Sequence, residues 1–260
     1  MDYEKNLFES NLFVNYSEAF KACYSLYEFC EKVIYHKTSI ETPFQEISLF
    51  FLTKSFKSFW AIIELSKMGF GEDALILGRS LFENAINYLY ISKDPEKRTD
   101  LYMKHDCIGS KRYLNICKNS NTAIPNEDIV SQEVENNYQE VKKDYKGDIW
   151  WHDKKLKDMA IEVGLEETYN LIYPLHSEFV HSGIKAMKYY IHSEDEKVIV
   201  NYGPSENFVD NALISNFNSL VRVLDTYINK IGLPYEKELQ AVIDEGAKLF
   251  IQQKPHEHNA

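Results

Sequence analysis

Apolar side chains recur along this chain at the three- to four-residue spacing of α-helices. In residues 5–36 the spacing is carried by Leu12, Tyr16, Phe20, Tyr24 and Tyr27. Residues 43–68 are apolar on nearly every side, which is typical of a helix at the centre of a bundle. Pro43 is suited to the first turn of that helix, and Gly69 followed by Phe70 is typical of its C-terminal end.

The remaining apolar pattern predicts an all-α fold. After a short turn we expect an antiparallel helix near 72–92, and then helices at 95–118, 127–145, 152–163, a short segment ending at Ile172, 174–191, 207–231 and 235–252. KVIVNY, at 197–202, predicts one short strand or hairpin. Because no repeat or composition change divides residues 1–260, we expect a single helical-bundle domain of about eight to nine helices, with a frayed tail at 253–260.

The charge balance narrows the classes of function. With 40 acidic against 29 basic residues the net charge is −11, whereas proteins that bind nucleic acid regardless of sequence carry a basic surface. We therefore expect no general DNA binding, and leave open a local RNA site on an acidic body. The four cysteines form no CxxC pair, and we predict neither a metal nor another cofactor.

No stretch of the sequence predicts a membrane segment. The first residues, MDYEKNLFESNLF, have neither the basic nor the apolar region of a signal peptide. The most apolar stretch, ISLFFLTKSFKSFWAIIEL, is interrupted by Lys54, Lys57 and Glu64, whereas a spanning helix needs roughly 18 or more apolar residues. We expect a cytoplasmic protein.

The helix predicted over GEDALILGRSLFENAINYLYIS has an apolar arc and a polar arc. The polar arc contains Arg79, Ser80, Glu83, Asn84 and Asn87. Arg79 and Glu83 are i, i+4 neighbours in the order less favourable for a pair on a helix surface, and this arc has no lysine. We interpret it as the wall of a polar cleft. The alternative is a structural pair, or an exposed one worth about 0.3–0.5 kcal/mol.

The stretch YPLHSEFVHSG, which begins at Tyr173, is the second candidate. Pro174 is suited to the first position of a helix. Tyr173, Ser177 and His181 then lie on nearly one face, where the two hydroxyls are placed to orient the imidazole. His176 lies about 140° from His181, so one straight helix is not suited to bring both rings to one metal. The alternative for each histidine is a packed ring with satisfied nitrogens.

Three kinds of chemistry use these residue types. A Ser–His nucleophile needs a third group and an oxyanion hole, which one helix turn does not supply. A di-metal bundle needs two Glu-x-x-His motifs, whereas one such spacing, Glu178 to His181, lies on a suitable helix. Metal-independent phosphodiester cleavage needs a proton-exchanging histidine and an arginine that stabilises the phosphorane. His181 and Arg79 meet that requirement if the fold brings them together.

Two stretches of the sequence carry a resemblance to a known family. They are RSLFENAINYLYI (79–91) and WWHDKKLKDMAIEVGLEETYNLIYPLHSEFVHSG (150–183). Together they resemble a bacterial all-helical domain family of unknown function, whose members share an Arg-x3-Glu helix, a Trp-led helix and a Tyr-x3-Ser-x3-His helix. The resemblance covers about residues 45–190. It assigns the shared positions to Arg79 and Glu83, to Trp150 or Trp151, and to Tyr173, Ser177 and His181.

That family is distantly similar to the all-helical HEPN proteins, many of which are RNases or toxins of phage defence and toxin–antitoxin systems. The resemblance implies a metal-independent endoribonuclease in which His181 exchanges protons, Arg79 holds the phosphate and Glu83 orients Arg79. It also implies a homodimer or a partner protein. HEPN RNases carry Arg-x4–6-His on one helix. The Arg79 helix lacks that histidine, and Arg98 with His105 supplies a second candidate pair.

A second function fits the same residues. A non-catalytic helical binding or sensor module would use the Arg/Glu/His cleft for a small anion or a partner peptide, and the acidic net charge favours it. In both interpretations the supporting or ligand-binding residues are Tyr173, Ser177, His176, Asn87 and Trp151.

Overall fold

The computed structural model describes residues 2–120, 122–144, 154–194 and 196–253. Within these ranges the chain forms eleven α-helices and one two-stranded antiparallel sheet, which confirms the predicted all-α fold with a short hairpin. None of the described helices combines the length and the apolar composition needed to cross a bilayer. Trp150, Trp151 and residues 254–260 of the predicted tail lie outside the described residues.

The described residues form the following elements in chain order. The helices are α1 (Asp2–Asn15), α2 (Ser17–Ile34), α3 (Pro43–Lys67), α4 (Gly71–Lys93), α5 (Pro95–Asn119), α6 (Glu127–Val141), α7 (Leu156–Glu162), α8 (Glu166–Val180), α9 (Met187–Tyr190), α10 (Val209–Ile231) and α11 (Glu236–Gln252). Strands β1 (Ile191–Glu194) and β2 (Lys197–Val200) form the hairpin. A 3₁₀ turn follows α6 at Lys142–Asp144.

Helix α4 lies at the centre of the core. It packs along α3 and α10, and α7 and α8 cover another of its sides. The largest fully buried side chains include Phe20, Phe51, Phe59, Phe82 and Tyr88. Because α4 is covered on most sides, its polar residues must find partners inside the protein.

The ends of α3 are those predicted from the sequence. Thr42 and Gln45 form a reciprocal capping box immediately around Pro43, which occupies the first turn. At the other end Gly69 has a φ of 78°. The N–H of Phe70 donates to Leu65 O at 2.9 Å, closing the helix with a glycine cap.

Helix α8 differs from its prediction at both ends. It begins at Glu166 and runs through Pro174, so the prediction that Pro174 starts a helix is wrong. The proline deprives Asn170 O of its usual donor, but both residues lie on the exposed side, where that carbonyl is accessible to solvent. The helix also ends at Val180 rather than Ile191. Ser182 takes a φ of 49°, and the next N–H bonds back to Glu178 O at 2.7 Å, which terminates the helix.

The helix predicted over residues 5–36 is divided at Tyr16 into α1 and α2. Gln253, which the sequence places in a frayed tail, bonds to both sides of the break. Its Nε2 donates to Asn15 O at 2.7 Å, and its Oε1 accepts from the N–H of Ala19 at 3.3 Å. One side chain from the end of α11 therefore satisfies backbone groups that the break leaves free.

The contact between α4 and α10 depends on two glycines of α4. A Cβ on Gly71 would lie 2.1 Å from Asn207 O, and a Cβ on Gly78 would lie 2.5 Å from Asn216 Nδ2. At Gly71 the obstructing atoms belong to the backbone that leads into α10, so a side chain there has no space to occupy.

We expect Gly71→Ala to lower the free energy of unfolding by about 2 kcal/mol or more, because the added methyl group forces the two helices apart. Chemical denaturation measures the change. Gly109→Ala is the matched control: a Cβ there meets nothing within 4 Å, and replacing a mid-helix glycine should stabilise the protein by about 0.5–1 kcal/mol. Equal effects at the two positions would contradict the packing account.

Candidate functional site

Four side chains predicted from the sequence meet between α4 and the end of α8. The guanidinium of Arg79 donates from Nε to Glu83 Oε1 at 2.9 Å and from Nη2 to the Tyr173 hydroxyl at 2.5 Å. Its Nη1 lies 2.9 Å from His181 Nε2. We call Arg79, Glu83, Tyr173 and His181 the Arg79 cluster.

The donor inventory of arginine determines the state of the histidine in this cluster. A guanidinium has only donors, so Nη1 must donate and His181 Nε2 must accept. The proton of the neutral ring is then on Nδ1. His181 occupies the position that closes α8, and its ring is exposed. The cluster therefore presents a neutral, solvent-accessible imidazole held against a cation.

Aromatic packing fixes the orientation of Arg79. Its Cζ lies 4.5 Å from the ring centroid of Tyr173, which is stacked on Tyr169 at 4.5 Å. Burial and the charge of Glu83 raise the pKa of Tyr173, so the phenol stays protonated. Burial by itself lowers the pKa of Arg79, but the bonds to Glu83 and Tyr173 outweigh it and raise that pKa. The guanidinium stays charged.

The Arg79 cluster is neither sealed nor fully solvated. The side chain of Arg79 is 17% exposed and that of Glu83 is 34% exposed. A cavity of about 480 Å³ between α3, α4 and α5 reaches Glu83 and Asn87. Asn87 donates to the main-chain oxygen of Glu83 at 2.8 Å. Asn84, which the helical wheel places on the polar arc, is instead buried and bonds to Phe51 O on α3.

Ser177 has a different role from the one predicted. Its hydroxyl donates to Tyr173 O, one turn earlier in α8, at 2.6 Å. The partner of the His181 ring in the described structure is Arg79 rather than a hydroxyl of its own helix. Neighbouring residues in the sequence could not predict this contact, because Arg79 and His181 are 102 positions apart.

His176 belongs to a separate environment on α8. Its side chain is 1% exposed, and Nε2 lies 3.5 Å from Ser215 Oγ on α10. Burial, with a smaller effect of the Arg79 charge, lowers its pKa to about 4. The imidazole is therefore neutral at physiological pH, and it lines a cavity between α8 and α10.

The second predicted pair, Arg98 and His105, lies on α5. Arg98 donates to Tyr90 O and to Glu162, both at 2.6 Å, and lies over the Tyr90 ring. His105 lines the cavity that reaches Glu83. Seven residues of helix separate the two by roughly 10 Å along the axis.

Of the two residues weighed for a metal site, Glu178 and His181, the histidine is already bonded to Arg79. His181 Nε2 and Glu83 Oε1 both accept from Arg79, and the Glu178 carboxylate lies against Gly183. In the part of the chain that the structure describes, no three His, Cys, Asp or Glu residues are grouped to hold a metal ion.

A polar stripe on α10 escaped the sequence interpretation. Its members, which face α8 across the cavity that His176 lines, are Asn211, Ser215, Asn218, Ser219 and Arg222. Their spacing of four, three, one and three residues is a helical face. A helical wheel of this segment would have shown the stripe, although not the helix that it faces.

The lowered pKa of His176 makes a pH-dependent contribution to stability. The unfolded chain binds this proton at the ordinary pKa of about 6.5 and the folded protein only near 4. Stability is therefore fully present above pH 6.5 and falls by about 3 kcal/mol as the pH drops to 4. We expect His176→Leu to reduce this loss, measured as the free energy of unfolding at pH 7 and 4.5. An unchanged difference between the two pH values would contradict the assignment.

Comparison with known proteins places the chain in a family. A family model described as "Family of unknown function (DUF5677)" matches residues 45–198, close to the range 45–190 over which the sequence resembles an uncharacterised helical family. No curated protein and no solved structure matches the chain. The matched range contains α4, α8 and every residue of the Arg79 cluster. Because it spans more than half of the 260 residues, the chain belongs to the DUF5677 family.

Proposed function

We propose that the Arg79 cluster cleaves RNA without a metal ion. In this proposal Arg79 binds the phosphate, His181 exchanges the proton and Glu83 with Tyr173 holds the guanidinium in place. The observation that carries the proposal is the 2.9 Å contact between Arg79 Nη1 and the exposed His181 Nε2. A permanent cation and a titratable ring within one hydrogen bond are the two groups that this chemistry requires.

The reaction would be an internal displacement on the RNA backbone. The 2′-oxygen attacks the neighbouring phosphorus as its proton leaves for His181 Nε2, and the bond to the 5′-oxygen breaks. The products are a 2′,3′-cyclic phosphate and a free 5′-hydroxyl, to which the imidazolium returns the proton. Arg79 would stabilise the charge on the phosphorane oxygens. DNA lacks the attacking 2′-hydroxyl.

The surroundings of the cluster support a local site and not a nucleic-acid groove. A phosphate has to take the donors of Arg79 from His181, which is possible because the ring is exposed. The cavity of about 480 Å³ beside Glu83 offers room for a base, with Asn87 and Tyr102 in its lining. The net charge of −11 limits the affinity for long RNA, so the proposed substrate is a short single-stranded segment.

The biological setting belongs to the same proposal. The resemblance to HEPN proteins supports a toxin-type effector of bacterial defence, acting in the cytoplasm on cellular RNA, with a second copy or a partner protein restraining or completing it.

We expect the purified protein to cleave a single-stranded RNA oligonucleotide in the presence of EDTA. The products should carry 2′,3′-cyclic phosphate ends, and the matching DNA should remain intact. Arg79→Ala and His181→Ala should each reduce the rate by about 100-fold or more, because each removes a group that acts in the transition state. Gel analysis and mass spectrometry of the ends measure the outcome.

Two variants on the surface control for lost charge and lost imidazole. Arg112→Ala and His192→Ala remove exposed residues of the same types and should cleave as the wild type does. Circular dichroism checks that every variant is folded. Cleavage that persists in both Arg79→Ala and His181→Ala, or the absence of cleavage by the wild type, would refute the proposal.

A non-catalytic binding module remains the second candidate, and one observation favours it. Arg79 already donates in three directions and links α4 to α8 through Tyr173 and His181. A guanidinium used in this way is typical of a structural lock as well as of a prepared anion site.

Stability separates the two functions. If Arg79 is chiefly a lock, Arg79→Ala should lower the free energy of unfolding by about 2 kcal/mol, because Glu83 is left partly buried and unpaired. Adding Glu83→Gln should then recover part of the loss. A catalytic role predicts a smaller penalty and no recovery, because active-site charges add little to stability. Chemical denaturation of the single and double variants gives both values.

A further inference from the structure

A cleft lies between α8 and α10, and its lining includes no residue of the Arg79 cluster. Both helices pack on α4, but they make little or no contact with each other. The space between them has a volume of about 530 Å³, within the roughly 300–1,000 Å³ typical of small-molecule sites. Phe82 and Ala85 of α4 form its floor. We call this space the α8–α10 cleft.

The two walls of the cleft differ in chemistry. The α8 wall is mainly apolar, with Leu171, Ile172 and Leu175, and it also carries the Glu167 carboxylate and the Thr168 hydroxyl. The α10 wall is the polar stripe, of which Ser215, Asn218 and Ser219 bond through their side chains to carbonyls of their own helix. Ser215 Oγ donates to Asn211 O at 2.6 Å and Ser219 Oγ donates to Ser215 O at 2.9 Å. Because these hydroxyl protons are used, the two serines present oxygen acceptors.

His176 adds a further acceptor at one end. Ser215 Oγ has no proton left to donate, so the 3.5 Å contact to His176 is an N–H donation from Nε2. In the neutral ring Nδ1 is then an acceptor. It is buried and has no hydrogen-bond partner among the residues that the structure describes. The ring that carries this nitrogen is part of the cleft lining.

Arg222 supplies a cation at the other end. Its side chain is exposed at the rim, and within the described ranges its guanidinium takes part in no hydrogen bond or ion pair. Seven residues of α10 separate it from Ser215, which corresponds to roughly 10 Å along the helix. The cleft thus has acceptors at one end, an apolar middle and an unpaired positive charge at the other end.

We propose that the α8–α10 cleft binds a small amphipathic carboxylate. The ligand's carboxylate contacts Arg222, its aromatic or branched apolar body lies against α8 and the α4 floor, and a hydroxyl or amine at its far end donates to His176 and Ser215. A partner helix is a poorer fit. A helix with its side chains is roughly 10–12 Å across, whereas α8 and α10 are held close together because both pack on α4.

The cleft and the Arg79 cluster use different side chains of α8. Leu175 and His176 line the cleft, whereas Tyr173 and His181 contact Arg79. The ligand site therefore does not depend on the proposed RNA cleavage, and either can fail without the other.

The test uses para-hydroxyphenylpropionate, which has a carboxylate, a ring and a hydroxyl donor over about 10 Å, the span between the two ends of the cleft. Calorimetric titration of the full chain should show saturable binding with a Kd of about 1 mM or lower. The methyl ester, which lacks the anion, and phenylpropionate, which lacks the donor, should each bind at least about tenfold more weakly.

Two variants test which residues of the cleft contact the ligand. Arg222→Gln and His176→Leu should each weaken binding by at least about tenfold. His176→Leu should do so without lowering the melting temperature at pH 7, because it removes a buried nitrogen that lacks a partner. Arg112→Gln, which removes an exposed arginine of α5 outside the cleft, is the matched control and should bind as the wild type does. No saturable binding by the wild type, or affinity unchanged in both cleft variants, would overturn the proposal.

Discussion

The burial of α4 is the constraint on which the rest of the structure depends. With α3 and α10 packed along it and α8 on a further side, this helix has little access to water. Its polar side chains must therefore bond to neighbouring elements. Asn84 does so by donating to α3, and Arg79 by reaching the end of α8. The candidate site is the place where a central helix brings its one arginine to the surface.

Helix α8 joins two separate chemistries. Tyr173 in its C-terminal half and His181 at its C-cap contact Arg79, while the neighbouring face supplies His176 to the cleft. Within one turn of α8, Tyr173 contacts Arg79 and His176 lines the cleft, and Pro174 lies between these two residues in the sequence. The helix tolerates this proline because its outer side is solvated and its inner side is held by Phe179 and other packed residues.

The range matched by the family model does not coincide with the packed core of the fold. The matched range, 45–198, contains the whole Arg79 cluster, whereas α10 and its polar stripe follow that range. Yet α10 packs more extensively on α4 than any other element does. The core of the matched region is thus completed by a helix outside it, and the α8–α10 cleft is built from both parts.

Sequence reasoning located the individual residues of the Arg79 cluster but not their contacts. Arg79, Glu83, Tyr173 and His181 stood out because the residue types and spacings within each helix are local features. The same local reasoning put Ser177 beside His181 and gave His176 to the same site. Neither arrangement is found, because Ser177 bonds within its helix and His176 lies against α10.

What the amino-acid sequence by itself determined was local: helical periodicity, the capped ends of α3 and the all-α fold. These depend on residues within a few positions of one another, such as Thr42 with Gln45. Only the tertiary structure decided the remainder. Arg79 and His181 are 102 positions apart, and Pro174 is accommodated by packing that its neighbours in sequence do not reveal. The physical reason is that side-chain partners across a bundle depend on which helix faces meet. The faces that meet are those whose packing gives the lowest free energy for the whole core.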